Sequence, residues 1–300
     1  MNNFFRSIIL VLVFFACETD RVVSQEAHSP TYISSFHEGV RHKLNGEITQ
    51  AISKFTTCLN DDQNDDAVHF VLYQIYSEKI ELKLALVHIK SALKIDPSNK
   101  YYKIELANNY SAIGEYEKSA LLFEELINND LQNLAIYEQA VDNWRKANKI
   151  KKAIAVLNKL EYNIGLDPQI LLQKAALFEM IEDYNSALSQ LLLANKEFPK
   201  DTYVLSTLLD FYMIRGNDSD GILVLKELLN ADPSDGYYLG LLAEIQYSNG
   251  EINEALANFK KAIKEEGLTI DQRMEILIRL QKEKDINLIE LSELIDFMVN

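Results

Sequence analysis

The stretch Ile113-Gly114-Glu115-Tyr116-Glu117-Lys118-Ser119-Ala120-Leu121-Leu122-Phe123 decides how this chain folds, because its pattern recurs. Asn45-Gly46-Glu47 leads to Ala51 and Phe55 at the same offsets, and Asn249-Gly250-Glu251 leads to Ala255 and Phe259. Laid in phase, the chain repeats every 34 residues, from starts at 32, 66, 100, 134, 168, 202 and 236, with no insertions. A degenerate eighth unit starts at 270. A fixed period of this size marks a stacked array in which no unit buries its apolar faces alone.

The columns of the repeat have physical content. Position 20 holds Ala51, Ala85, Ser119, Ala153, Ala187, Gly221 and Ala255, small residues that let two helices approach closely. Position 8 mixes small residues with larger ones, from Gly39 and Ala107 to Tyr73 and Val141. Position 11 holds His42, Tyr76, Tyr110, Trp144, Phe178, Tyr212 and Gln246, a mostly aromatic filler. Position 24 is Phe, Ile or Leu throughout, and position 27 is Cys58, Ala or Leu. Apolar residues at 17, 20, 24 and 27 form one stripe of a helix. Gly46, Gly114, Gly216 and Gly250 share position 15, which suits the left-handed residue that closes a helix. Pro97, Pro199 and Pro233 share position 32, where Pro stops the second helix, and Pro168 falls three residues later at its own junction.

These columns resemble the tetratricopeptide repeat (TPR), and the match covers residues 32 to 269. The resemblance implies an all-α fold: antiparallel helix pairs in a right-handed superhelix, with the first helices lining a concave groove. Seven repeats follow, at 32–65, 66–99, 100–133, 134–167, 168–201, 202–235 and 236–269. Residues 270–300 form a degenerate eighth repeat or a cap, with helices expected at 270–283 and 286–298. The second of these carries Leu291, Leu294, Ile295, Phe297 and Met298, an apolar set for a terminal helix, so an array continuing with more repeats is an alternative.

The chain opens MNNFFRSIILVLVFFAC. One cation, Arg6, precedes the apolar run Ile8 to Ala16, which is too short for a spanning helix of about 20 residues and suits the core of a signal peptide. Ala16-Cys17 followed by Glu18-Thr19-Asp20 resembles the lipobox of bacterial lipoproteins, although Phe14 stands where that family usually has Leu. The resemblance implies removal of residues 1–16 and lipid attachment at Cys17, with residues 17–31 as a flexible tether. Cleavage after Ser24 would instead give a secreted or periplasmic soluble form. Both readings place the protein in the cell envelope, and the lipidated one anchors it to the outer membrane.

The 300 residues carry 45 acidic and 30 basic side chains, a net charge of −15. That excess argues against nucleic-acid binding, which needs clustered Lys and Arg to release counterions. Hydrophobic residues make up 48%, enough to exclude a disordered chain. Two cysteines cannot staple a small secreted scaffold. Length alone suggests about two domains, but the gap-free period replaces that with one array.

No nucleotide loop, HExxH or GxSxG is present, so no catalytic residue, metal ligand or cofactor is assigned. The acidic run Asn60 to Asp66 lacks the Gly and Glu of an EF-hand loop, and Asn217 to Gly221 is likewise read as an inter-helix loop. His69 and His88 are read as lacking a partner at metal spacing, His42 as core, and Cys58 as an inert buried thiol. In TPR proteins ligands lie on the first helices. Carried onto this chain, that face holds Tyr101, Asn108, Glu138, Asp142, Arg145, Gln169, Gln173, Tyr203, Asp210, Tyr237, Glu244 and Tyr247. The basic residues of a carboxylate clamp are missing. The implied function is a non-catalytic protein-interaction scaffold that binds neutral or basic peptides or proteins. A SusD-like glycan-capture lipoprotein is the alternative, disfavoured because such proteins build their sugar site from long insertions. The N-terminal interaction region of a longer protein is another.

Overall fold

The computed structural model describes residues 28–282 together with Ser292 and Ile295. The leader 1–16, Cys17, the tether up to residue 27 and, those two residues apart, the 286–298 segment lie outside the described residues. Among the described residues there are fifteen α-helices and no strand. None is long and apolar enough to cross a membrane.

Two compact units are described separately, with their boundary at Leu122/Phe123. The first contains α1 (Pro30–Leu44), α2 (Ile48–Asp61), α3 (Asp66–Glu78), α4 (Leu82–Ile95) and α5 (Lys100–Ala112). Helix α6 (Tyr116–Asn129) runs across the boundary. The second contains α7 (Leu134–Lys146), α8 (Ile150–Ile164), α9 (Pro168–Met180), α10 (Tyr184–Glu197) and α11 (Thr202–Ile214). It continues with α12 (Asp218–Ala231), α13 (Gly236–Ser248), α14 (Ile252–Lys264) and α15 (Ile270–Lys282). In each unit every helix packs on the next in sequence, as short connections demand. Odd-numbered helices are the first of their pair and even-numbered ones the second.

Helix ends are fixed by backbone chemistry repeated at the sequence period. Residues 46, 80, 114, 148, 182, 216 and 250 all have positive φ. The N–H of the residue after each reaches back to the carbonyl of position 11, as in Glu47 to His42 at 2.8 Å and Lys149 to Trp144 at 2.9 Å. This six-to-one bond satisfies a carbonyl that the helix end would otherwise orphan. Helix starts use a column not singled out from the sequence. Asp65, Asn99, Asp167, Asp201 and Asp235 lie on the 34-residue spacing, and each side chain accepts from the first turn of the following helix. Such a cap contributes about 1 kcal/mol. The first helix begins earlier than the period requires. Ser29 accepts from the Tyr32 N–H at 3.0 Å, and Pro30, read above as tether, takes the first helical position, where a missing N–H costs nothing.

Position 15 is glycine in four repeats and Ile80, Asn148 and Glu182 in the others. A β-branched residue is the worst occupant of this region, at about 1–2 kcal/mol of backbone strain. Ile80 has φ 61° and is 78% exposed, so it gains little packing in return. Ile80→Gly is therefore expected to stabilise the first unit by about 1 kcal/mol net of the extra freedom glycine has when unfolded. Urea unfolding followed by circular dichroism measures this, and an unchanged or lower midpoint would contradict it.

The core follows the columns. Ala51, Ala85, Ser119, Ala153, Ala187 and Ala255 at position 20 are buried, as is position 24 from Phe55 to Phe259. Gly39 shows why position 8 is small in the first repeat: a Cβ there would stand 3.0 Å from the Phe55 ring. Val141, at position 8, is only partly buried and lines a surface groove.

Candidate functional site

Four of the residues expected on the partner-facing surface come together between α7 and α9. Glu138, Asp142 and Arg145 from α7 face Gln173 from α9 across a groove of about 400 Å³. Its floor is apolar, formed by Val141, Ala176, Leu177 and Met180. A second hollow of about 240 Å³ shares Glu138 and Gln173, adds Gln169, and is floored by Leu134, Leu160, Ile164 and Ile170. The helical period explains the arrangement. Residues 138, 142 and 145 lie on one stripe of α7, and 169 and 173 on one stripe of α9.

A third hollow, of about 310 Å³, lies between α13 and α15 and is lined by Tyr237, Glu244, Leu268 and Ile276 among others. Tyr203 and Asp210 lie on α11, outside these grooves, and Tyr203 is 59% exposed. Tyr101 and Asn108 lie on α5 in the first unit, where Tyr101 is 73% exposed. Tyr247 lies at the end of α13. It is half-buried against the α13–α14 core, with the Arg279 guanidinium 5.6 Å from its ring centre. Its position at the end of α13 puts it within reach of α15, so much of its ring is spent on packing.

Charge on this face is more balanced than the sequence suggests. The Asp142 carboxylate is held by Arg145 at 2.5 Å and Lys146 at 2.6 Å. Burial pushes its pKa up, but those two partners outweigh burial and keep it below the usual carboxylate range. Glu244 has Arg279 at 3.9 Å. Asp210 is held above the usual range by desolvation, which disfavours its charge.

The remaining candidate chemistry is placed as follows. Cys58 is fully buried, and burial followed by Asp65 and Asp61 pushes its thiol up to about 11, which keeps it protonated and unreactive. His42 is partly buried, with Nδ1 on the Glu47 carboxylate. Asn217 caps α12, whose first turn contains Asp218 and Asp220. His69 and His88, read from the sequence as unpartnered, meet across the α3–α4 turn with Nδ1 atoms 3.0 Å apart. The sequence signal was there but mis-scaled: ligand spacing was sought along the chain, whereas the turn brings residues 19 apart side by side.

No family model matches the chain. A relative, Lipopolysaccharide assembly protein B of Haemophilus influenzae, is 23% identical over 270 residues. That match covers 82% of this chain and 66% of the relative, so the chain spans just under two thirds of the relative's length. Among solved structures, the C-terminal part of a TPR repeat-containing protein from Cytophaga hutchinsonii superposes with a TM-score of 0.54 at 13% identity. It covers 81% of this chain and 99% of that one. A structure of Naa15/Naa10 bound to HypK-THB gives a TM-score of 0.59 at 14% identity, over 86% of this chain and 43% of the matched chain. At these identities the likeness is one of fold. Together with the helix pairs and the 34-residue period, it makes the chain a TPR-fold protein.

Proposed function

We propose that the chain is a non-catalytic protein-interaction scaffold of the bacterial cell envelope, taking a peptide or protein segment on the exposed face of its first helices. The observation that carries the reading is the pair of adjoining hollows between α7 and α9, apolar on the floor and rimmed by Glu138, Gln169 and Gln173. Amide and carboxylate rims over apolar floors suit an extended segment: side chains fill the hollows and its backbone bonds to the rim. Asp142 is paired with Arg145 and Lys146, while Glu138 adds a carboxylate to the rim of both hollows, so the partner is a neutral or basic segment. Exposed Tyr203 and Tyr237 extend the surface along the second unit as rigid contacts of low entropic cost. The envelope setting is supported by the leader and by similarity to a lipopolysaccharide assembly protein. On this reading Cys17 carries the lipid anchor.

The test has two arms in one strain. A photo-crosslinking residue at Gln173 or Tyr203 is expected to trap one discrete protein adduct, and the same residue at Lys226, on the exposed side of α12, to trap none. Metabolic labelling with palmitate is expected to mark the protein and to vanish in Cys17→Ala. Equal crosslinking from Lys226 defeats the surface assignment, and label retained by Cys17→Ala defeats the anchor.

A further inference from the structure

We infer that His69 and His88 form a bis-histidine site for a divalent transition ion, with Zn²⁺ as the representative case. Zinc-bound nitrogens at about 2.0–2.1 Å in a tetrahedral field lie roughly 3.3 Å apart. The two Nδ1 atoms stand at 3.0 Å, so an opening of a few tenths of an ångström admits the ion between them. They come from different helices, His69 from α3 and His88 from α4, and both rings are only partly buried, so the ion has a route in.

The surroundings are those of ligands held in place. The His69 ring also hydrogen-bonds the Gln63 backbone. Nδ1 of the same ring faces Nδ1 of His88. A metal-bound histidine characteristically gives its other N–H to such a group. His88 is clamped by Tyr76, whose ring lies parallel to it, with centres 5.4 Å apart. Asp65 and Asp66 act on His69 electrostatically and so favour a cation there.

In the metal-free pair one Nδ1–H is shared between two nitrogens that would both accept. On binding, the ring that carries the shared Nδ1 proton moves it to its own Nε2, both Nδ1 lone pairs go to the metal, and water fills the other positions. No proton is released and nothing is oxidised. The ion then staples α3 to α4. The other cluster of possible ligands, His28, Asp62 and Asp65, is already engaged: Asp65 accepts from the Val68 N–H and the Tyr32 hydroxyl, and His28 stacks on Tyr32.

The test is titration of the untagged full-length chain with Zn²⁺ in calorimetry, alongside ¹⁵N spectra of the histidine rings. One ion per chain is expected, with both Nδ1 resonances of His69 and His88 moving together. His88→Gln and His69→Gln should each weaken binding about tenfold or more, and His28→Ala should leave it unchanged. Excess Mg²⁺ should not compete, since imidazole ligands suit zinc, copper and nickel. The spectra of the unaltered protein decide the matter even where a variant fails to fold. Zinc that moves other histidine resonances, or binding lost in His28→Ala and kept in His88→Gln, overturns the site.

Discussion

Trp144→Ala is expected to destabilise the second unit by about 3–5 kcal/mol, the range for removing a fully buried large aromatic side chain. Trp144 is the largest of the fully buried side chains and the one Trp in the chain. Three things depend on it. Its ring fills the aromatic column at the end of α7. Its indole N–H donates to the Glu124 carboxylate, which loses that donor in the variant. The Lys152 ammonium sits 4.1 Å from its ring centre, a cation–π contact worth about 0.5–1 kcal/mol at a partly exposed site. Its carbonyl also receives the Lys149 N–H that closes the helix, a bond the substitution leaves intact. The damage should therefore be a cavity rather than an unravelled helix end. Trp144→Phe, which keeps most of the volume, should recover much of the loss. Far-UV circular dichroism during urea unfolding measures both. An alanine variant within about 1 kcal/mol of the parent would show that the site collapses around the void. Stability in such arrays is largely a sum over neighbouring repeats, so the lost energy should fall on α7 and its contacts. The hollows rimmed by Glu138 and Gln173 should loosen with it.

How far the sequence could be read follows from which forces are local. Gly46 and Gly114 announce their helix ends because a left-handed residue is visible in composition alone. Ile80 and Glu182 hold the same conformation and carry no such label; only the period places them. The buried columns were legible because a 34-residue repeat averages over seven occurrences. A mixed column was not, as Val141 at position 8 shows by facing a groove. The candidate groove residues could be placed on the first helices of their repeats but not grouped into hollows. Which of them share a hollow depends on the spacing of α7 from α9, set by packing between repeats. Local charge pairing was hidden for the same reason: Asp142 counts as an acid in the sequence, and the fold pairs it with Arg145 and Lys146 one helical turn away. The His69–His88 contact depends on the fold of one turn and had no repeat to amplify it.

The second large effect concerns the wall opposite α7. Lys174 on α9 is buried, with its side chain 8% exposed, and meets Glu161 of α8 at 2.9 Å, itself 22% exposed. A lysine at this depth persists because its charge is paired, and the pair crosses from one repeat to the next. Lys174→Ala strands the Glu161 carboxylate and deletes a packed aliphatic stem, so a loss of about 3 kcal/mol is expected, at the lower end for breaking a buried pair because Glu161 keeps some water. Glu161→Ala should cost a similar amount by stranding the ammonium. The informative variant is the double one. Lys174→Met with Glu161→Leu retains volume and removes both desolvation penalties, so its stability should return to within about 1 kcal/mol of the parent or exceed it. Two losses that cancel when combined are the signature of a coupled pair. If Lys174→Met and Glu161→Leu, measured singly in urea unfolding, give losses that simply add in the double variant, the two side chains act separately and the charge pairing contributes little. The position also bears on the proposed partner surface. Lys174 directly follows Gln173 on α9, and the pair ties that helix to Glu161 of α8. If the apolar double variant stays stable yet loses the adduct trapped from Gln173, the pair is kept for where it points the amide rather than for the energy it supplies.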